Sequence, residues 1–432
     1  MTTIRSEARH QRLIPEIWRQ RVAGEALMVA SLRMLSVILI VIVILTASPP
    51  AQAQTFTVLY KFSGGLDGAE PTADLVLDAT GNFYGVAEIG GSFNYGSMFQ
   101  MSAADKVSVL HSFLGGEGLY PVGGLTRDAA GNLYGTTTDG GTPEGGGCIH
   151  GCGAVFKRDI TGKLSVLHAF TGGADGGLPN ATLIQDAAGN LYGTTAEGGI
   201  TSCFVGLGCG VIFKVDTTGK QTVLYSFTEG LDGDNPVGLV RDGAGNLYTT
   251  SYRGGTFDQG VVLKLDTTGK LTVLYSFTGG SDSGDPGGPL VRDTAGNLYG
   301  TTGGEFDNQR DFGSVFKLDT AGNLTVLHLF VGGFEGQYPN SVVLDAKGNV
   351  YGVALGGGTG TGCYYGSCGT VFKVDTAGNL TVLHSFTGAD GELPNSLIMD
   401  GAGNLYGTTL GGGTGSGCTY YHGCGTVFKL TP

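Results

Sequence analysis

Gly425-Thr426-Val427-Phe428-Lys429-Leu430 is the last apolar stretch of the chain, and it lacks the segment that follows its like everywhere else. Each earlier G-x-V-F-K element is followed, after a D-x-x-G turn, by a strand of the type T-V-L-[YH]-x-F, as in Thr222 to Phe227. The missing strand stands at the other end, as Val58-Leu59-Tyr60-Lys61-Phe62. Between these ends one unit recurs seven times: D-x-x-G-N-L-Y-G-T-T, a Gly-rich loop, G-x-V-F-K-x-D, then T-V-L-[YH]-x-F-T-G-G. Its Asn falls at Asn82, Asn132, Asn190, Asn246, Asn297, Asn349 and Asn404, in steps of 50, 58, 56, 51, 52 and 55 residues. A period near fifty with several short strands per unit predicts a β-propeller. The uneven cut predicts that the N-terminal strand completes the last blade and latches the ring.

The expectation is therefore an all-β, seven-bladed propeller with four antiparallel strands per blade, over residues 54–432. The strand before D-x-x-G-N, such as Leu75-Val76-Leu77, should be innermost, and T-V-L-[YH]-x-F outermost. These segments are rich in β-branched and aromatic residues and are bounded by Gly, Asp and Asn. In the D-x-x-G-N turn, Asp should bond the backbone, Gly should supply positive φ, and Asn should tolerate it. A β-solenoid is the structural rival; its repeats are usually shorter and need no split unit. The Gly-rich loops share one face with the T-G-G-x-D-G-x-x-P segments that cross between blades. The tight D-x-x-G-N turns lie on the opposite face.

The first fifty residues differ from the rest. Residues 1–33 carry six Arg and the single Trp18, then an apolar run of thirteen residues spans Leu35 to Ala47. With Ala51-Gln52-Ala53 behind it, this reads as a signal peptide over residues 1–53 with a long n-region, and Met28 or Met34 as a possible start. The run is short for a bilayer span, so an uncleaved anchor is the weaker alternative. Removing these residues takes away six Arg and three Glu and leaves 18 basic and 34 acidic residues, a net charge of −16. Such a surface repels polyanions, which argues against nucleic acid as a partner. A secreted or periplasmic monomer with no membrane span in the mature chain is expected.

Eight cysteines fall as four close pairs in the Gly-rich loops: Cys148 with Cys152, Cys203 with Cys209, Cys363 with Cys368, and Cys418 with Cys424. Four units carry both and three carry neither, which argues for a disulfide inside each loop, as an exported chain permits. A thiolate metal site is the alternative, and it would need two loops to meet in a reducing compartment.

The elements V-L-[YH]-x-F-x-G-G, D-x-x-G-N-L-Y-G and G-T-V-F-K together resemble the GloVer tandem repeat of secreted bacterial proteins, over essentially all of residues 55–432. The resemblance implies an exported repeat protein, often surface-anchored, with no settled activity. The chain ends at Leu430-Thr431-Pro432 without a hydrophobic tail, so release is expected rather than anchoring.

Candidate chemistry is sparse. His111, His168, His328 and His384 share their slot with Tyr60, Tyr225 and Tyr275, which points to packing. His150 and His422 lie inside cysteine loops. Asp67, Glu117, Asp175, Asp232, Asp282, Glu335 and Asp390 put one carboxylate per blade in the crossing loops, all expected around one mouth. The aspartates are weak candidates for calcium, and turn-building is the favoured reading. Aromatic residues occupy the loops between second and third strands: Phe93, Tyr95, Phe204, Phe257, Phe306, Tyr364, Tyr365, Tyr420 and Tyr421. Of these Phe204, Tyr364, Tyr365, Tyr420 and Tyr421, with His422, are candidate ligand contacts, suited to stacking on sugar rings or holding a protein. Asn180, Asn340 and Asn395, each after a Pro, should lie near the axial mouth as further candidates. No G-x-S-x-G, H-E-x-x-H or P-loop occurs, and the innermost strands carry Arg127, Arg241 and Arg292 but no His or Glu. The reading is a non-catalytic binding module for an extracellular polysaccharide or surface glycan, with no required cofactor, calcium being possible. An envelope protein-interaction scaffold is second, and a metal-dependent propeller hydrolase or lyase third.

Overall fold

The computed structural model describes residues 54–141, 148, 150–200, 203, 206–303, 311–363, 366–413, 415, 418 and 421–432. Residues 1–53, read above as a signal peptide, lie outside these. Residues 54–432 form one compact unit. Among the described residues, 28 strands, β1 to β28 in chain order, make seven four-stranded antiparallel sheets. Six sheets take their strands in sequence, as blade 1 does with β2 (Val76–Leu77), β3 (Phe83–Ala87), β4 (Ser97–Met101) and β5 (Val107–Ser112). The seventh is closed as expected: β1 (Thr55–Lys61) lies outside β28 (Thr426–Thr431), β27 (Leu405–Gly411) and β26 (Glu392–Met399). Thr55 pairs with Thr431 and Lys61 with Thr426. A one-residue bulge at Leu59 recurs at the same place in the outer strand of each blade. Such a bulge twists the strand and makes its open edge a poor template for another chain.

The repeat motifs are packing devices. In D-x-x-G-N, Asp78 Oδ1 accepts the N–H groups of Thr80 and Asn82 at 2.8 and 2.9 Å. Its Oδ2 accepts Asn82 Nδ2 and the Tyr84 hydroxyl, both at 3.0 Å. Gly81 alone takes the left-handed conformation, at φ 86°. The Asn was expected to tolerate positive φ; instead it stays outside that region and serves as a side-chain donor. The Tyr ring also lies beneath the Lys of V-F-K, as Tyr406 does below Lys429 Nζ at 5.4 Å.

Blades adhere through phenylalanine. The final Phe of V-L-[YH]-x-F meets the V-F-K Phe of the next blade near edge-on: Phe113 with Phe156 at 5.2 Å, Phe170 with Phe213 at 5.1 Å, and Phe386 with Phe428 at 5.3 Å. Phe62 of β1 does this across the closure, 5.1 Å from Phe99.

A second seam is strained. The residue before each crossing-loop proline has positive φ in every blade: Glu70, Tyr120, Leu178, Asn235, Asp285, Tyr338 and Leu393, between 48° and 59°. A side chain there costs energy, and a following proline disfavours helical backbone further. The return is an inter-blade hydrogen bond. Leu178 N–H donates to Cys152 O at 2.9 Å, Asn235 to Cys209 O at 3.1 Å, Leu393 to Cys368 O at 3.1 Å, and Glu70 to Cys424 O at 3.0 Å. The second cysteine of each pair thus presents the carbonyl that anchors the neighbouring blade.

Candidate functional site

All four cysteine pairs are disulfides with Cα atoms 5.3 Å apart. They fix the loops on the face where blades cross. Of the aromatic candidates, Phe204, Phe306, Tyr364, Tyr365 and Tyr420 lie outside the described residues. Tyr421 is half-buried, with its Cβ against Gly411. His422 is exposed, and its N–H donates to Glu392 Oε1 at 2.8 Å. Glu392 is fully buried on β26. The innermost strands therefore do carry a glutamate, contrary to expectation, because they run further toward this face than their apolar core indicates.

The crossing-loop acids do not ring the axial mouth. Each lies against the outermost strand of the preceding blade and meets its [YH] residue. The Tyr60, Tyr225 and Tyr275 hydroxyls donate to Asp67, Asp232 and Asp282 at 3.0, 2.9 and 2.8 Å. His168 and His384 meet Asp175 and Asp390 at 3.2 and 3.0 Å, and His111 bonds Glu117. His328 and Glu335 are 3.4 Å apart. The aspartates also accept the N–H of Ser63, Thr171, Thr228, Thr278 and Thr387. Burial, then the bonded carboxylate, pushes the three tyrosines up to about 12. These carboxylates are spent on the turn and are separated by whole blades, an arrangement far from the clustered oxygens a calcium ion takes.

Two concave sites are formed by described residues. The first is a cavity of about 670 Å³ on blade 4, lined by Glu229, Leu231, Asp234, Arg253 and Asp258. Glu229 breaks the repeat. Its six equivalents are glycines, of which Gly64, Gly172, Gly279, Gly332 and Gly388 are at positive φ and Gly115 is not, and Glu229 keeps the positive-φ conformation at 63°. A non-glycine residue held there costs on the order of 1 kcal/mol. Its carboxylate lies within 4.8 Å of the Cys203 and Cys209 sulfurs, which the disulfide has already consumed. Asp234 is 3 % exposed, and burial raises its carboxyl against the opposing pull of Arg253. Arg253 ends β15 (Leu247–Arg253) where blades 2 and 3 place Asp139 and Glu197. Beside the cavity Phe257 is 56 % exposed. Its loop is held by Asp258, which takes positive φ and accepts Gly254 N–H at 2.9 Å. Blade 1 builds the same turn with Asn94 and presents Phe93 to the same extent, 56 %.

The second site is an axial cavity of about 630 Å³, lined by the segment after the crossing-loop proline in all seven blades. This places those strands innermost. Asn180, Asn340 and Asn395 line it, with Asn235 beside them. Asn340 Nδ2 donates to Asn395 O at 3.0 Å and Asn395 Nδ2 to Pro71 O at 3.3 Å, so these two brace neighbouring blades. The Oδ1 atoms of Asn180 and Asn235 are buried without partners among the described residues. Asp74 also lines it, and sequence reasoning passed over it by seeking His and Glu. Among the described residues its carboxyl has no hydrogen bond or ion pair, and burial raises it to about 6 from 3.8. Below pH 3.8 the group is protonated folded or unfolded, and no penalty exists. The penalty grows as pH rises to about 6 and is complete above it. Asp74→Asn is therefore expected to stabilise the fold by about 2 kcal/mol at neutral pH. Urea unfolding at neutral and strongly acidic pH checks this; a gain that persists in acid would assign it to another cause.

A family model described as the Gloeobacter/Verrucomicrobia repeat matches residues 44–205, 144–310 and 205–428. A search of curated protein sequences found no match. Among solved structures, a streptogramin B lyase superposes with a TM-score of 0.58 at 11% identity, covering 88% of this chain and 97% of that one. A catalytically inactive virginiamycin B lyase from Staphylococcus aureus, with quinupristin, gives 0.58 at 10%, covering 88% and 99%. The extracellular domain of a putative hybrid two component system from B. thetaiotaomicron gives 0.53 at 13%, covering 87% of this chain and 39% of that one. At these identities the likeness is one of fold. No helix among the described residues is long and apolar enough to cross a membrane.

Proposed function

The chain belongs to the Gloeobacter/Verrucomicrobia repeat family, and from that premise and the geometry of blade 4 we propose that it is an exported, non-catalytic binding module for a neutral extracellular polysaccharide or surface glycan. The observation that carries this reading is the blade 4 cavity: an arginine fork and three carboxylates around a polar hollow, with an exposed phenylalanine next in the chain to the lining Asp258. Carboxylates and guanidinium engage vicinal hydroxyls as acceptor and donor, and an aromatic face stacks on the apolar side of a sugar ring. One cation against three anions disfavours an acidic polymer. Four disulfides and an extracellular-domain neighbour support a location outside the cytoplasm.

The strain at Glu229 supplies a test with two readouts. Glu229→Gly is expected to raise stability by about 1 kcal/mol, because glycine adopts this conformation freely. The same change is expected to weaken glycan binding about tenfold, as is Phe257→Ala. A polysaccharide panel, with and without EDTA, measures binding, and thermal unfolding measures stability. EDTA is expected to change nothing, since the crossing-loop acids are committed to turns. Glycan binding untouched by both variants would sink the blade 4 assignment. Absence of any glycan binding, with an envelope protein captured instead, would favour the scaffold reading.

A further inference from the structure

Asp74 breaks the repeat inside the axial cavity. The equivalent position holds Gly124 in blade 2, Thr182 in blade 3 and Pro289 in blade 5. Among the lining residues described, Asp74 is the one charged group. Among the described residues its carboxylate has no partner, and two buried acceptors, Asn180 Oδ1 and Asn235 Oδ1, also lack one. Buried polar atoms in folded proteins find partners, and those that do not point to a missing ion, water or ligand. The Asp74 carboxylate and the two orphaned amide oxygens are all acceptors, so a donor would serve all three.

We propose that the axial cavity binds a small organic ammonium ion, with Asp74 as counter-ion and the Asn180 and Asn235 side chains as neutral acceptors. A positive donor offsets the solvation that the half-buried carboxylate loses. A divalent metal is a poorer match, since calcium takes six to eight oxygens and often several carboxylates. Val122, Val237, Leu239, Val343 and Ile398 supply apolar wall, and the volume of about 630 Å³ is in the range of small-molecule pockets. These features select an amine that carries an apolar body. The site is separate from the blade 4 cavity and does not depend on the glycan reading.

Phenethylammonium chloride, with 2-phenylethanol as its neutral counterpart, is the probe. Calorimetric titration of the purified protein at pH 7.5 is expected to show saturable binding of the amine and at least tenfold weaker binding of the alcohol. Asp74→Asn is expected to weaken the amine at least tenfold while remaining folded. Asn180→Leu, which leaves the charge in place, is expected to weaken it about threefold. The proposal is overturned if the amine does not saturate, if the alcohol binds equally, or if Asp74→Asn binds the amine as the parent does.

Discussion

Deletion of residues 54–62 is expected to abolish cooperative folding of the propeller rather than merely lower its stability. The strand touches three blades. It completes the ladder of blade 7 from Thr55 to Lys61. Phe56 stacks on His384 of blade 6 at 3.5 Å and lies 5.5 Å from Phe428 of blade 7. Phe62, 1 % exposed, joins blade 1 through Phe99. Removing a buried phenylalanine costs about 3–5 kcal/mol. The loss of buried Phe62, a smaller loss from the partly buried Phe56 and the bared edge of β28 together are comparable with the roughly 5–15 kcal/mol by which a folded domain is held. Gel filtration and thermal unfolding check this, and aggregation with no sharp transition is the expected result. A peptide of residues 54–63 added in trans should restore the transition, because the partner surface is left intact. A truncated chain that melts cooperatively near the parent temperature would mean that six blades and a three-stranded seventh suffice. Phe62→Ala alone should cost about 3–5 kcal/mol by urea titration.

The architecture was legible because a propeller writes its closure into the chain. Seven units of one pattern cut at an uneven point leave one strand over at the N-terminus and the last unit one strand short, and Val58 to Phe62 can belong only beside Val427 to Leu430. The disulfides were legible for a related reason, since each pair is confined to one loop. Radial depth was not. A strand pattern tells which face a side chain takes, but not how far from the axis a loop residue comes to rest. The crossing-loop acids were therefore placed at a central mouth, while the structure holds them against the outer strands. A signal was present: the [YH] residue and the acid it meets are seven residues apart in five cases, as from Tyr60 to Asp67, and six apart in His111 to Glu117 and His384 to Asp390. Glu229 and Asp74 were both visible as departures from their repeats. Neither belongs to a recognised catalytic motif, so each stands out only against the chain's own repeat. In a repeat protein the consensus encodes the scaffold, and a binding site must be written in its violations.

One violation is a matched pair, and it predicts a rescue. In six blades the Gly of L-Y-G faces the V-F-K phenylalanine across the ladder, as Gly193 faces Phe213. A Cβ at Gly193 would fall 2.6 Å from Phe213 Cζ and 2.8 Å from Leu183 Cδ2, so glycine is required there for space. Blade 4 has Thr249 in the glycine slot and Leu263 in the phenylalanine slot, paired in register and both buried. The shorter leucine leaves the room that threonine fills. Gly193→Thr in blade 3 is thus expected to cost about 3 kcal/mol, the upper range for forcing extra atoms into a packed core. Phe213→Leu alone should cost about 1–2 kcal/mol, since it opens a gap beside Phe170. The double variant should be more stable than Gly193→Thr by about 2 kcal/mol, because each change answers the other. Urea unfolding of the four proteins closes the cycle. Strict additivity would show that the pairing of Thr249 with Leu263 is coincidental and that the glycine serves the backbone rather than the ring above it.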